Sequence, residues 1–195
     1  MRYFTSDIHF CDKYTFNNES RPFKNVATYD RATIKLWNKV AKKDDTIYVV
    51  GDMLDCDARN VTWWQDALKY VKKINAKIIL IMGNNEWRIV DNYFGGKVNK
   101  FREHCLSYGI HDVKKNDKVS FGGYDFYLTH EPKDYKKKYI NLCGHLHRSM
   151  GLWFEYGLNV CCDLNHFRLF DEEEILYQVK QKEKYWQDEN FHIKK

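Results

Sequence analysis

Thr46-Ile47-Tyr48-Val49-Val50-Gly51-Asp52 is the stretch that decides the fold. Its first five residues are all β-branched or aromatic, which suits a pleated strand. The lack of polar alternation suits a strand covered on both faces. Glycine then permits a sharp turn, and an aspartate follows at the carboxyl end. The same grammar recurs outward in both directions. Tyr3-Phe4-Thr5 leads to Asp7-Ile8-His9, Lys77 to Met82 leads to Gly83-Asn84, Tyr124 to Thr129 leads to His130, and Tyr139 to Cys143 leads to Gly144-His145-Leu146-His147. Two segments carry helical spacing instead. They are Tyr29 to Lys42, with Ile34, Trp37, Val40 and Ala41 on one side, and Val61 to Ile74, with Trp64, Leu68, Val71 and Ile74. Strands intercalated with amphipathic helices predict a layered α/β domain.

Composition bounds the rest. A hydrophobic fraction of 44% and an aromatic fraction of 16% exclude disorder, and 2 prolines in 195 residues leave no Pro-rich linker. One domain over 1–195 is expected, with 171–195 a charged, solvated helical tail whose Glu173-to-Val179 stretch opens acidic and turns lysine-rich. The formal charge of +5 favours anionic ligands. Cys11, Cys56, Cys105, Cys143, Cys161 and Cys162 contain no CxxC pair, which suits reduced thiols. Asp7 arrives before a signal-peptide apolar stretch forms, and no later run approaches membrane-spanning length. A cytoplasmic protein without a membrane partner is expected, and Asn60-Val61-Thr62 is then a chance match to a glycosylation site.

Ligand sites of layered α/β folds form outside the carboxyl ends of strands, so Asp7, His9, Asp52, Asn84, His130, His145 and His147 are expected to converge. The i, i+2 spacing within Asp7-Ile8-His9 and His145-Leu146-His147 puts each pair on one side of an extended chain. Gly51, Gly83 and Gly144 leave room for cations beside the backbone. Two carboxylates, four imidazoles and an amide oxygen are too many donors for one cation and lack the thiolates of structural zinc. They predict two divalent metal ions, manganese first, with iron, zinc or nickel also fitting. Asp52, midway in chain order, is the natural bridge.

The order Asp-x-His, Gly-Asp, Gly-Asn, His, Gly-His-x-His spans positions 7 to 147 and resembles the calcineurin-like metallophosphoesterase superfamily. That resemblance implies a four-layer αββα sandwich, two mixed β-sheets flanked by helices. It makes Asp7, His9 and His147 ligands of one metal, Asn84, His130 and His145 ligands of the other, and Asp52 the bridge. Asn159-Val160-Cys161-Cys162-Asp163-Leu164-Asn165 also resembles the ending of small single-domain bacterial and phage members. At Gly83-Asn84-Asn85-Glu86 the family pattern usually continues with histidine after Gly-Asn. There the histidine is taken to stabilise the transition state and to help protonate the leaving oxygen. Asn85 offers a hydrogen bond but no transferable proton near neutral pH.

The function expected is a dinuclear metal-dependent phosphoesterase, with Asn85, Asp52 and Arg148 as catalytic residues. Its substrate is expected to be a small phosphodiester or a nucleotide with a good leaving group, ahead of nucleic acid. A nuclease or phosphomonoesterase is one alternative, and a catalytically reduced binding or scaffold protein is another. Arg148, beside His147, leads the candidates for phosphate contact, followed by Arg21, Arg59 and Arg88. His111, His166 and Glu86 are candidate substitutes for the missing acid, against plainer readings as loop residues and, for Glu86, as an orienting side chain. Lys133, Lys136, Lys137 and Lys138, with Tyr135 and Tyr139, read as solvated loop charge ahead of a track for an extended anion.

Overall fold

The computed structural model describes residues 1–55 and 63–190. Arg59, Cys56, the Asn60-Val61-Thr62 tripeptide and the start of the helix expected at Val61 lie outside the described residues. Two five-stranded mixed sheets form the centre. The first has the order β10 (Phe170–Asp171), β1 (Arg2–Thr5), β2 (Thr46–Val50), β3 (Lys77–Ile81), β4 (Asp112–Lys114). Within it β1 to β4 run parallel and β10 pairs antiparallel with β1. The second has the order β5 (Asp117–Phe121), β6 (Tyr124–Leu128), β7 (Ile140–Cys143), β9 (Gly157–Asn159), β8 (Trp153–Phe154). Its central β6, β7 and β9 are parallel, with antiparallel strands at both edges.

Parallel strands need long crossovers. The first sheet obtains them from α2 (Val26–Val40) between β1 and β2, α3 (Trp63–Val71) between β2 and β3, and α4 (Asn84–Phe94) with α5 (Val98–Ser107) between β3 and β4. A short α1 (Lys13–Asn18) follows the first ligand loop, and α6 (Glu172–Asn190) closes the described chain. Asp12 caps α1 by accepting from Tyr14 and Thr15 N–H, and Asn25 caps α2 by accepting from Thr28 N–H.

Alternate residues of the first sheet face opposite ways. Tyr3, Ile47, Val49, Ile78 and Leu80 pack with Trp37, Trp64, Leu68, Ile89 and Phe101 of the helices. Phe4, Tyr48, Val50 and Ile81 pack with Phe126, Leu128, Leu142 and Leu158 of the second sheet. This double cover explains the unalternating apolar runs, since each buried aliphatic side chain contributes about 1.5–3 kcal/mol. The result is the sandwich of two mixed sheets that the resemblance implied. The tail differs from its reading as a solvated helix. Asp171 belongs to β10, opposite Tyr3, and Ile175 and Val179 of α6 are buried in the second cluster. Among the described residues, no helix is long and apolar enough to cross a membrane.

Candidate metal centre

Asp7 and His9 follow β1, Asp52 follows β2, Asn84 follows β3, His130 follows β6, and His145 and His147 follow β7, all at carboxyl ends of parallel strands. The two sheets meet at the same rim, where Ser6 bridges to Cys161 and Ser6 O accepts from Cys162 N–H at 3.1 Å. The backbone that aims these side chains is not extended, which corrects the reading of the two i, i+2 pairs. Asp7 (φ 58°), His9 (φ 51°), Asp52 (φ 50°), His145 (φ 75°) and His147 (φ 45°) are all left-handed. That conformation costs a non-glycine residue roughly 1–2 kcal/mol and persists where the surroundings over-determine it. Part of that constraint is backbone pairing. Asp7 N–H donates to Gly51 O and His9 N–H to Asp52 O, each at 3.0 Å, so the loops after β1 and β2 stay paired beyond the strands.

The glycines serve neighbouring side chains. A Cβ on Gly51 would strike the His130 ring, one on Gly83 the Asp52 carboxylate, and one on Gly144 the Asp7 carboxylate. The room they leave is therefore filled by a site residue of another loop, not held open for cations.

Asp7, His9 and His147 form the first cluster, each offering an atom within 4.8 Å of the others. Burial outweighs the nearby Asp52 carboxylate and lowers the His9 pKa to about 4, so the ring is neutral. Its Nε2 is buried and has no hydrogen-bond partner among the described residues, an arrangement that costs free energy unless something else ligates the nitrogen. His147 Nδ1 faces Asp163 Oδ2 at 2.9 Å, so a neutral ring donating there turns its lone pair on Nε2 toward Asp7 Oδ1, 3.7 Å away. A carboxylate behind a histidine is the usual outer partner of a metal ligand. Asp163 is itself gripped by Arg21, whose Nε and Nη2 donate to Oδ1 and Oδ2, both at 3.0 Å. Burial alone would raise the Asp163 carboxyl, but His147 and Arg21 hold it well below the usual range. Arg21 also donates to Ile8 O and Asp7 O at 2.7 Å. Buried and fully engaged, Arg21 braces the first ligand loop, which corrects its reading as a phosphate contact.

Asn84, His130 and His145 form the second cluster. His130 Nε2 lies 3.1 Å and His145 Nδ1 2.9 Å from Asn84 Oδ1. His130 Nδ1 donates to Val50 O at 2.9 Å, so in the neutral ring the Nε2 lone pair faces oxygens on Asn84 and Asp52. Positive charge between them resolves that opposition. Burial disfavours the imidazolium, yet the adjacent Asp52 carboxylate outweighs it and lifts the His130 pKa to about 10. Asp52 stands between the clusters, with Oδ2 at 3.4 Å from His130 Nε2 and 3.8 Å from His9 Nε2. The unpartnered His9 nitrogen, the converging lone pairs and the mixed N/O donors fit divalent cations.

Asn85 is 4% exposed and turned toward Asp52. Its backbone N–H and its Nδ2 donate to Asp52 Oδ1 and Oδ2 at 3.0 and 2.9 Å, and its Oδ1 accepts from Arg88 Nη1 at 2.9 Å. Glu86 is fully buried. Its Oε1 accepts from Met53 and Leu54 N–H at 3.0 Å, and its Oε2 from Asp52 N–H at 2.9 Å and Gly83 N–H at 2.8 Å. Burial and the Asp52 charge push its pKa up to about 7, against the pull of the Leu54 and Gly83 amides. Glu86 thus clamps the loop carrying Asp52, the orienting role, and the reading of it as a substitute acid falls. His111 is exposed, and its N–H bonds Ile78 O near the start of β3, the opposite end from Asn84. His166 is exposed on the turn after Asp163. Arg148 is exposed at the rim, with Nη2 3.9 Å from Asp163 Oδ1.

Sequence reasoning missed the braces. Arg21 and Asp163 are 142 positions apart, and only the fold shows their pairing. Asn159 is fully buried and donates to His147 O at 3.0 Å and Met150 O at 3.1 Å, fixing the loop that carries His147. Asn159 and Asp163 both lie in the Asn159-to-Asn165 stretch that resembled the family ending, which was the available signal.

The pattern of the calcineurin-like phosphoesterases matches residues 3–194. An uncharacterised protein of Methanocaldococcus jannaschii is 28% identical over 130 residues, covering 67% of this chain and 58% of that protein's length. A protein of unknown function from Aquifex aeolicus superposes with a TM-score of 0.62 at 20% identity, over 91% of this chain and 98% of that one. A structure described as a novel archaeal phosphodiesterase gives a TM-score of 0.49 at 15% identity, over 89% and 94% of the two chains. At 20% identity the likeness to the Aquifex protein speaks to the fold alone.

Proposed function

The chain belongs to the calcineurin-like phosphoesterase family, and from that premise we propose that it hydrolyses phosphodiesters with two bound divalent cations, manganese first among them. Asp7, His9 and His147 hold one cation, Asn84, His130 and His145 the other, and Asp52 both. One observation carries this reading: the Asp52 Oδ2 atom lies within 4 Å of an imidazole nitrogen from each cluster. When bound, such a pair of cations supplies an activated water and polarises phosphoryl oxygens.

The chain's own residues do the rest. Asp163 fixes the His147 tautomer and Val50 O fixes that of His130, so each ring turns Nε2 inward. Asn85 orients Asp52 through its amide and is a positioning residue. Among the described residues, the exposed Arg148 and Arg88 near the rim are candidates to hold phosphate oxygens. Glu86 is spent on backbone amides and His111 lies at the opposite end of β3 from Asn84, so neither is placed to protonate a leaving group. The substrates favoured are therefore esters whose leaving groups depart unprotonated.

Turnover of bis-p-nitrophenyl phosphate with manganese tests the reading, against a chelated control and the Asp52→Asn variant. Metal-dependent turnover should be seen, and the variant should lose more than the ~10–100-fold typical of losing an outer-sphere partner. Silence toward activated diesters while manganese is demonstrably bound would favour a binding or scaffold protein. Across a leaving-group series, rates should fall steeply as leaving-group pKa rises; a flat dependence would reveal an acid in service.

A further inference from the structure

The lysine-rich segment after His130 is a built surface rather than loose charge. Asn141 on β7 is fully buried and uses its whole amide to hold it. Oδ1 accepts from Lys136 N–H at 2.8 Å, while Nδ2 lies within hydrogen-bond reach of the carbonyls of Tyr139 (3.0 Å), Tyr156 (2.8 Å) and Lys136 (3.3 Å). Tyr135 stacks on Tyr156 with ring centres 4.0 Å apart, and Tyr139 stacks on Tyr127 of β6. Segment 135–139 is thereby fastened against β6 and β7.

Two adjoining clefts of about 670 and 390 Å³ lie along it and share Asn116, Tyr127, Tyr135 and Lys136 as walls. The larger adds Lys118, Lys137, Lys138 and Tyr139, and the smaller adds Lys115 and Lys133. Asp134 is the one carboxylate among the residues lining either cleft. The smaller cleft is bounded by Trp87, one turn beyond Asn84 on α4, and by Thr129, the residue before His130. The smaller cleft is thus walled by chain neighbours of two candidate ligand residues, Asn84 and His130. Ammonium groups already sit over rings: Lys115 over Trp87 at 5.3 Å, and Lys118 and Lys138 over Tyr139 at 5.4 and 5.0 Å.

We propose that this groove binds single-stranded nucleic acid and leads one of its phosphodiesters to the metal centre. Clustered ammonium groups on a fixed backbone repel one another, and a string of phosphates relieves that repulsion. Half-exposed Trp87, Tyr135 and Tyr139 interleave with the lysines. Such rings offer π-faces to bases while ammonium groups move onto phosphates, the combination that sequence-tolerant single-strand binding uses. A duplex keeps its base faces stacked inside a convex cylinder and gains nothing from these rings. The catalytic half of the proposal rests on the phosphoesterase reading; the binding half does not.

The test uses the full chain and a fluorescent oligothymidylate, with anisotropy read in EDTA so that no strand is cut. The triple variant Lys115→Gln/Lys118→Gln/Lys136→Gln should bind at least ~10-fold more weakly, with a log–log salt dependence shallower by about 2. Its manganese-dependent turnover of bis-p-nitrophenyl phosphate should match the parent. Unchanged oligonucleotide binding in the variant, a duplex bound more tightly than the single strand, or inorganic polyphosphate competing as well as the oligonucleotide would each overturn the groove. Tight, lysine-dependent binding in a chain that turns over no diester would uphold the groove and sink the phosphoesterase reading.

Discussion

The two clusters of the candidate metal centre are built by opposite means. Around Asp7, His9 and His147 every ligand residue lies in left-handed backbone, and the brace behind them is the buried Arg21–Asp163 ion pair. Around Asn84 and His130 the backbone stays right-handed or extended, Asn84 opening α4 and His130 sitting in the bend after β6, and the braces are Val50 O and the backbone amides that Glu86 collects. Only His145 in that half is left-handed, besides the shared Asp52. Strained backbone does not hold itself in place. The first half therefore depends on distant side chains, whereas the second asks less of strained backbone.

The comparison predicts unequal damage. Arg21→Met leaves the Asp163 carboxylate buried without its cation, a loss that typically costs about 3–5 kcal/mol. Glu86→Gln retains one acceptor oxygen, and its cost is nearer the ~1–3 kcal/mol of an unsatisfied buried group. Urea unfolding of the metal-free variants measures both. A reversed order, or a cost below about 1 kcal/mol for Arg21→Met, would break the contrast.

Metal affinity should show the same asymmetry on a smaller scale. Asp163→Asn removes the charge behind His147 and touches nothing in the second cluster. In a calorimetric manganese titration one binding step should weaken by ~10–100-fold and the other should hold. Equal weakening of both steps would mean that the two halves behave as one unit.

The sequence carried the strands and their ligand motifs better than the contacts that brace them. β-branched runs marked β1, β2, β3, β6 and β7 to within a residue of their ends, and each ran into its ligand motif. Helix α4 escaped because it begins inside the Gly83-Asn84 motif, which reads locally as a turn. Strands β8 and β10 span two residues each, too short for any period to register. The left-handed dihedrals at Asp7, His9 and His147 are uncommon for any residue with a Cβ, and although Asp and His adopt them more readily than most, no local pattern marks which ones do. Arg21 read as a candidate phosphate contact because nothing near it in the chain reveals that it is buried.

Asp30 sharpens the account of the first half. Both its oxygens lie 3.3 Å from the N–H of Cys11, itself left-handed at φ 63°, just past His9. Burial pushes its pKa up to about 6, well above the usual carboxylate value. The native state thus holds this proton more tightly than the unfolded chain does. The stability it contributes is full below the unfolded pKa and is lost as pH rises through about 6. Asp30→Asn should therefore stabilise the protein by about 1–2 kcal/mol at pH 8, after allowing for a weaker bond to Cys11, and by nothing at pH 4. A gain at pH 4 as large as at pH 8 would show that charge is not the cause.

At position 85 the family pattern points to a gain and the structure points to none. A histidine at position 85 would act as a general acid only if it reached the leaving group, and a working acid supplies ~10²–10⁴-fold. Asn85 is almost wholly buried, donates twice to Asp52 and accepts from Arg88. Asn85→His keeps the backbone donation, gives up the amide bond to Asp52, and sets Arg88 against a ring with no oxygen to receive it. Turnover of an alkyl phosphate should accordingly show no gain, and the lost bond to Asp52 should lower it by up to the ~10–100-fold of an outer-sphere partner. A hundredfold gain would instead put position 85 beside the departing oxygen. The second half would then have to open on loading, and its apparent rigidity would belong to the metal-free protein alone.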